Sequence, residues 1–505
     1  MVVAALLGTT MVADAWIAAF ELPNMLRRLA SEGTLSAAFV PAFADTARRH
    51  GEREVWRLAD RFHTAVLVAV AGLTLVGILV APWIVPLLYP GFRQDPAKIA
   101  LTVRLAQLVF AYALFISLSA VLMAVLNARE RFAAAAFTPV LLNVSIIVFA
   151  VSAWIVDAES SVYYIVAGVI AGGLAQWLFL VPFARRAGMR FRFLADWNDP
   201  GLREVGRLIV PRLLGVGVVQ INIIVGRMFA TRLGDGPLAA MYYSARITEL
   251  TLGVFAVSVA TVVLPAMSRQ GAAGDHAAMR GTLSFALRQV TAITLPAAVG
   301  LILLRQPIVA VLFQRGAFDA DSTAMASAGL MGYAAGLVAV AAVRITAPGF
   351  YALHDTRTPV AVALVAMVVN IAGCMMLMGP LGIGGIALAN SIAAFTSAAL
   401  LLAILRVRLG GIDGGTLLRS ICRIAAAAAL MGWIVSALAN RWLGDLGVPP
   451  ALLSAGLVAT IVVGTLTYVA ALAVARAPEL RELRAVLSGK LSASAGEPPD
   501  GSDAG

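Results

Sequence analysis

The sequence predicts an all-α protein that crosses a membrane many times, and two observations carry this prediction. Hydrophobic residues make up 61% of the 505 residues and charged residues only 13%, about half the charged fraction of an ordinary soluble domain. The apolar stretches are also long, since no charged residue interrupts 64–88 or 132–156. About 20 such residues cross the hydrocarbon core of a bilayer as a helix. Such stretches recur along the whole chain.

Apolar runs separated by loop signals predict thirteen full spans, preceded by a short stub at 2–8. The predicted spans are 11–42, 64–89, 100–127, 133–156 and 162–184, then 206–232, 238–266, 285–313, 323–351, 358–378 and 384–405, and finally 417–440 and 450–475. The polar residues after the last span are predicted to form a disordered tail.

Three weak internal matches predict that the chain contains a repeat. The segment 81–92 resembles 305–318, 39–48 resembles 263–272, and 127–140 resembles 352–360, at nearly constant offsets of 225, 224 and 220 residues. An offset of six helices predicts two parallel, pseudo-symmetric six-helix lobes around a central cavity, where transporters often bind substrate. The predicted divisions are an N-lobe at 1–190, a C-lobe at 200–408, two further helices at 415–476 and the cytoplasmic tail at 477–505.

The basic residues predict the orientation in the membrane. The net charge is +11, and Lys98 and Lys490 are the only lysines among 38 basic residues. Arginines collect in alternate loops, at 48–57, 129–131, 185–203, 269–280, 357 and 406–419. The positive-inside rule therefore places these loops and both chain ends in the cytoplasm. Because this pattern explains the basic charge, no nucleic-acid partner is predicted.

The cysteines and histidines predict neither a metal site nor a cofactor. Cys374 and Cys422 lack a CxxC spacing, and the four histidines lack the spacing of metal ligands.

Ionisable residues inside a predicted span are costly and therefore mark candidate functional positions. Asp14, Glu21, Arg28 and Glu32 are spaced by 7, 7 and 4 residues, which places them on one face of a helix. Asn24 and Arg27 lie off that stripe, and Pro23 can interrupt the hydrogen-bond ladder and reorient the residues after it. Such a stripe must line a wet cavity or meet partners within the bundle.

Later spans add a surplus of arginine, which favours an anionic ligand because the forked guanidinium suits phosphate and carboxylate groups. These further candidates are Arg212, Arg227, Arg246, Glu249 and Arg344. A structural alternative remains open for each residue. Arg246 and Glu249 can pair with each other or with the second helix, while Arg27, Arg28 and Arg344 can extend to the cytoplasmic interface.

Four stretches match sequence motifs in order over about 1–475. They are ADAWIAAFELPNMLRRLASEGTLSAAFVPAF (13–43), LNARERFAAAAFTPVLLN (126–143), MYYSARITEL (241–250) and APGFYALHDTRTPV (347–360). They resemble the MurJ/MviN family of lipid II flippases, within the multidrug/oligosaccharidyl-lipid/polysaccharide exporter superfamily. The resemblance implies fourteen helices, as two six-helix lobes around a central cavity plus two C-terminal helices.

The same resemblance implies a function. It implies export of lipid II, the undecaprenyl-pyrophosphate-linked disaccharide-pentapeptide, across the bacterial inner membrane by alternating access, with no enzymatic step. Lipid II and membrane lipids are the implied partners, together with cell-wall synthesis proteins. The family-essential positions correspond to Asp14, Arg27, Arg246 and Glu249, and the surrounding pattern to Pro23, Asn24, Arg28 and Glu32.

Two departures from the family pattern stand out. The family begins with a longer, arginine-bearing first helix, whereas Met1–Gly8 matches only the end of the motif after that helix. We therefore hypothesise that the chain starts upstream of Met1 and is N-terminally truncated here. The family also usually has Asp before the arginine of the eighth helix, where this chain has Ala245. Glu249 is then the nearest acid.

Three other functions are alternatives to this one. A flippase for another polyprenyl-linked oligosaccharide would share the pyrophosphate, so only the motifs argue against it. A cation-coupled drug exporter would favour acids and aromatics over an arginine cluster. A membrane glycosyltransferase would need acidic metal-binding motifs or large catalytic loops, which the sequence lacks.

Overall fold

A computed structural model describes the backbone of residues 1–31, 34–155, 158–445 and 447–480. The side chains of 26–38 and 155–159, and most of those in 208–219 and 254–262, lie outside the described set. Within the described ranges the regular structure is helical throughout, with short 3-10 turns between some helices. The all-α prediction is confirmed.

The first of two compact units comprises Met1–Tyr242 and Phe313–Ser322. Its helices are α1 (Val2–Leu7), α2 (Met11–Ser31), α3 (Thr34–His50), α4 (Glu52–Leu88), α5 (Pro96–Ala128), α6 (Phe132–Ser152), α7 (Ala158–Ala187) and α8 (Pro200–Ala230). Helix α5 forms the core of the unit because it packs against α2, α3, α4 and α7. Its apolar residues Leu105, Tyr112 and Val121 are completely buried.

The second unit comprises Tyr243–Leu312 and Thr323–Gly505. Its helices are α9 (Pro237–Ala272), which starts within the first unit, α10 (His276–Leu303), α11 (Arg305–Phe313), α12 (Ala320–Ala335), α13 (Leu337–Ala352), α14 (Arg357–Arg408), α15 (Gly414–Trp442) and α16 (Pro450–Val474). Helix α10 packs against α13 and α15, and α15 packs against α16.

Each predicted span lies in one helix or in a pair of consecutive helices, and the spans 358–378 and 384–405 both lie in α14. The stub is the six-residue helix α1, only about 9 Å long at 1.5 Å per residue. The predicted span 11–42 contains α2 and most of α3, and residues 32–33 between them lie outside the described set. Helix α2 continues through Pro23, so the expected interruption does not end it.

Fewer than thirteen of the described helices are individually long and apolar enough to cross a membrane. Eight of the described helices are long and apolar enough to cross a membrane, and the count is nine if the pair α12 and α13, bent by 44°, crosses as one span. Helix α14 counts once although it covers the two predicted spans 358–378 and 384–405, because two helices join directly at a kink at Gly382. Gly382 itself has a non-helical conformation, with φ 54°, which divides α14 into two segments.

Candidate functional site

Asp14, one of the predicted site residues, is completely buried in the first unit. It lies near the start of α2, and its carboxylate accepts a hydrogen bond from Lys98 Nζ at 2.8 Å. It also accepts the backbone N–H groups of Gly236 and Ala239, at 2.8 and 2.9 Å. These two amides lie at the beginning of α9, where a helix has N–H groups without partners of its own. Asp14 therefore joins α2 to α5 and to the first turn of α9.

Lys98 was missed by the sequence analysis, although it was noted as one of only two lysines. It lies in the first turn of α5 and its side chain is 2% exposed. Its ammonium group contacts Asp14 and also Asp235, the latter at 2.7 Å, and it lies 4.2 Å from the centre of the Phe92 ring. The signal in the sequence was the use of lysine in a chain that otherwise uses arginine.

Glu21 and Arg227 form a second buried ion pair in the first unit. Glu21 follows Asp14 by two turns of α2, and its carboxylate contacts the guanidinium of Arg227 in the last turn of α8. Glu21 is 2% exposed. Next to this pair, Tyr89 donates a hydrogen bond to the carbonyl of Ala18, at 3.2 Å. Asp14 and Glu21, the two residues of the predicted stripe whose side chains are described, therefore both have cationic partners within the bundle.

Arg246 and Glu249 form an ion pair on α9, in the second unit. The two groups are 2.8 Å apart, and their side chains are 45% and 48% exposed. This is one of the structural alternatives considered for them. The Arg246 side chain is therefore reached by solvent while it pairs with Glu249.

Of the remaining predicted site residues, the structure describes the side chains of two. Asn24 is buried and Arg344 is exposed. The side chains of Arg27, Arg28, Glu32 and Arg212 lie outside the described residues. Among the described candidates, the structure brings Glu21 together with Arg227, and Arg246 together with Glu249. Asp14 is instead joined to Lys98 and Asp235, which the sequence analysis did not select.

A third polar cluster, also missed, lies in the second unit after the end of α16. Glu479 is buried, accepts a hydrogen bond from the Ser420 hydroxyl at 2.6 Å, and lies 3.4 and 3.6 Å from Arg288 and Arg423. Burial by itself raises the pKa of Glu479, but the Ser420 hydrogen bond and the two guanidinium groups outweigh it, so the pKa lies below its ordinary value. Residues 477–480 are therefore ordered, in contrast to the predicted tail at 477–505. Residues 481–505 lie outside the described set.

An apolar cavity of about 400 Å³ lies beside this cluster. Helices α10, α15 and α16 contribute to its lining, with residues such as Pro296, Met431 and Tyr468, and Glu479 also lines it. The hydroxyl of Tyr468 donates to the carbonyl of Ala292 at 2.6 Å. Because most of its lining residues are apolar, the cavity suits a hydrocarbon chain.

Long apolar helices that bury charged pairs between them define a multi-pass membrane transporter rather than a simple anchor. Solved structures share this fold. The chain matches a structure of the "Lipid II flippase MurJ, inward closed conformation" with a TM-score of 0.75 and 23% identity, over 92% of this chain and 93% of the other. A multidrug resistance MATE family transporter of the MOP superfamily matches with a TM-score of 0.64 and 16% identity, over 79% and 93%.

Sequence comparison identifies the family. The model of the family "Lipid II flippase MurJ" matches residues 3–454. A probable lipid II flippase MurJ of Vibrio cholerae is 36% identical over 79% of this chain and 78% of its own length. One of Rhizobium meliloti is 36% identical over 85% and 80%. The chain belongs to the lipid II flippase MurJ family, as the sequence motifs predicted.

Proposed function

We propose that this protein translocates lipid II from the cytoplasmic to the periplasmic leaflet of the bacterial inner membrane by alternating access. The observation that carries the proposal is the family match over residues 3–454, together with curated relatives of the same name at 36% identity. The proposed role is transport, with no chemical step on the cargo and no cofactor.

The chemistry of the cargo supports arginine as its ligand. A pyrophosphate and the peptide carboxylates are planar or tetrahedral anions that guanidinium groups bind with paired, charge-assisted hydrogen bonds. The side chain of Arg246 is nearly half exposed. We propose that it contacts the cargo together with Arg27, and that Arg28, Arg212 and Arg344 add positive charge along the path. Asn24 and Glu32 are proposed to shape that path.

The lipid tail requires a separate, apolar environment because a long isoprenoid does not fit a polar cavity. We propose that the tail lies along the C-terminal helix pair, α15 and α16. The apolar cavity of about 400 Å³ between these helices and α10 supports this placement. Its volume would hold part of the isoprenoid, with the remainder in the bilayer.

Contacts between loops support the predicted division into two membrane sides. Loops predicted on the Arg-rich side contact one another, through Arg61 with Asp199, Arg129 with Glu52, Arg408 with Asp355, and Arg280 with the carbonyl of Gly410. Two regions predicted on the other side also contact each other, through Gly91 with Thr231. We propose that the Arg-rich side and the C-terminus are cytoplasmic.

The prediction of a cytoplasmic Met1 does not fit the contact between Ala5 and Ala317. Ala5 accepts a hydrogen bond from Ala317, in a loop predicted on the periplasmic side. Helix α1 is about 9 Å long, whereas the hydrocarbon core is about 30 Å thick. Met1 is therefore proposed to lie toward the same side as that loop.

Two alternatives stay open within the superfamily. A flippase for another polyprenyl-linked oligosaccharide would use the same arginines for the same pyrophosphate. A cation-coupled drug exporter is suggested by the fold match to the MATE family transporter, but the fold alone carries that likeness. Translocation assays in liposomes with lipid II, with a polyprenyl-pyrophosphate oligosaccharide and with a cationic drug distinguish the three cargoes.

Substitution of the arginines tests the proposal in cells. The protein is expressed while the host's own flippase is depleted. Arg27→Ala and Arg246→Ala variants are expected to insert normally but to lose growth support, because each loses anion contacts rather than apolar packing. Arg104→Ala, which removes an exposed arginine of α5, serves as the control and should support growth. Wild-type growth with either cavity variant would exclude the assigned role.

A further inference from the structure

The choice of lysine at position 98 is unusual for this chain. Of its 38 basic residues, only Lys98 and Lys490 are lysines. Lys98 lies within the helical core, with its side chain 2% exposed. Arginine is the more common choice for a buried ion pair because its charge is spread over a planar group. A lysine ammonium is compact and points three donors in different directions. It therefore suits a small site between several acceptors.

The surroundings of Lys98 fit such a site. Its Nζ atom lies 2.8 Å from Asp14 and 2.7 Å from Asp235, and the Phe92 ring covers another side at 4.2 Å from its centre. Asp14 is completely buried, whereas the Asp235 side chain is 60% exposed. One ammonium thus balances a buried carboxylate and connects it to a carboxylate that water reaches.

Asp14 in turn caps the first turn of α9. The amides of Gly236 and Ala239 donate to its two carboxylate oxygens, which satisfies N–H groups that a helix start leaves unpaired. Gly236 has φ +97°, and a Cβ there would lie 2.2 Å from the carbonyl oxygen of Thr9, so the backbone approaches closely at this point. A carboxylate at a helix N-terminus interacts most favourably with the helix dipole while it remains charged.

A buried carboxylate that loses its counter-charge is strongly destabilised. Without Lys98, the charge of Asp14 would face only the two amides, with the like charge of Asp235 nearby. Asp14 would then be expected to take up a proton or to move away from α9. The cation on α5 is therefore what keeps the capping group on α2 charged and in place.

We propose that Lys98 is a positioning residue for transport, which holds Asp14 ionised so that α2 and α5 together fix the first turn of α9, the helix that carries Arg246. Its importance for transport rests on the proposed function, whereas its effect on α9 can be measured without any cargo. Asp14, which belongs to a sequence motif, therefore acts together with Lys98, which was not among the predicted site residues.

Hydrogen exchange of the purified full-length chain tests the positioning. Exchange is followed by mass spectrometry in peptides that cover 234–242. Lys98→Met is expected to accelerate exchange there by about tenfold or more, the factor that corresponds to losing one charge-assisted hydrogen bond. Arg104→Met removes an exposed cation six residues further along α5 and is expected to leave these peptides unchanged.

A double variant separates charge balance from simple packing. In Asp14→Asn/Lys98→Met the asparagine oxygen can still accept an amide, and no unbalanced buried charge remains. Its exchange in 234–242 is expected to be slower than that of Lys98→Met alone. If Lys98→Met gives no folded protein, recovery of folding by the double variant supports the proposal. Unchanged exchange in Lys98→Met, or a double variant no better than the single one, overturns it.

Transport is measured separately, as lipid II translocation in liposomes. Lys98→Met is expected to lower the initial rate by about tenfold or more, while Arg104→Met stays close to wild type. If the wild-type protein moves no lipid II, the proposed function fails while the exchange results still decide the positioning of α9. If exchange changes as expected but transport does not, Lys98 positions α9 without serving transport, and the proposed role is overturned.

Discussion

At the scale of single residues, the Glu21–Arg227 pair is the interaction with the clearest consequence for stability in the first unit. Glu21 is 2% exposed and the Arg227 side chain 15% exposed, so both charges are largely removed from water. Such a pair contributes little relative to apolar residues, but removal of one partner leaves an uncompensated buried charge. The loss caused by removing one partner can therefore be compared with the effect of replacing both.

Arg227→Met is expected to destabilise the protein by about 3 kcal/mol, the cost typical of a buried carboxylate left without its cation. The double variant Glu21→Gln/Arg227→Met should recover most of this loss, because no buried charge remains. Thermal unfolding in detergent measures both effects. Arg232→Met, at an exposed arginine five residues further on, is the matched control and should behave as wild type. Equal stability of Arg227→Met and wild type would contradict the buried pair.

The sequence predicted the positions of the acidic residues on α2 but not their partners. The seven-residue spacing of Asp14 and Glu21 identified a shared helix face, since two helical turns span about seven residues. Their partners Lys98 and Arg227 come from α5 and α8, far away in sequence. No local periodicity reports a contact between distant helices, so these pairs required the structure.

At the scale of elements, the segment after α16 is held to the second unit by one carboxylate. Glu479 contacts Ser420 and Arg423 on α15 and Arg288 on α10, and Ala477 before it is buried. The polar composition beyond Arg476 predicted disorder because composition averages over the whole tail. Two buried residues at its start were too few to change that average.

This attachment predicts a dependence of stability on pH. The pKa of Glu479 is lowered in the folded protein, so its contribution is complete above the ordinary pKa of glutamate, about 4.3. It is then lost as the pH falls through the folded-state value. Glu479→Gln is therefore expected to melt several degrees below wild type at pH 7, with a difference that shrinks at acidic pH.

Thermal unfolding of the two proteins in detergent, from neutral to acidic pH, measures this difference. Glu204→Gln, at an exposed position of α8, serves as the control and should behave as wild type throughout. A difference between Glu479→Gln and wild type that stays constant as the pH falls would show that the carboxylate charge does not hold the segment.

At the scale of the whole molecule, hydropathy predicted the helices well but could not decide how many times they cross. Each apolar run became helical because a backbone in lipid must satisfy its own hydrogen bonds. The number of crossings depends instead on whether the chain reverses direction at a kink, such as the one at Gly382 in α14. There the predicted loop 379–383 belongs to an element of 52 residues, and one non-helical residue replaces a loop.

The length of α14 favours two crossings. A straight helix of 52 residues would measure about 78 Å, more than twice the roughly 30 Å of the hydrocarbon core. If α14 crosses twice, five crossings separate Ala273 from Asp445, so that these two exposed residues lie on opposite sides. If it crosses once, the number is four and both lie on the same side.

Cysteine labelling distinguishes the two counts and tests the orientation together. In a background with Cys374→Ala and Cys422→Ser, we expect Asp445→Cys to react with a membrane-impermeant maleimide in intact spheroplasts. Ala273→Cys, in the Arg-rich region between α9 and α10, should react only after permeabilisation, because the positive-inside rule places it in the cytoplasm. Labelling of both residues from one side would mean that α14 crosses once, since an even number of spans would then separate them. If Ala273→Cys reacts in intact spheroplasts and Asp445→Cys only after permeabilisation, α14 still crosses twice. That result would contradict the cytoplasmic assignment of the arginine loops.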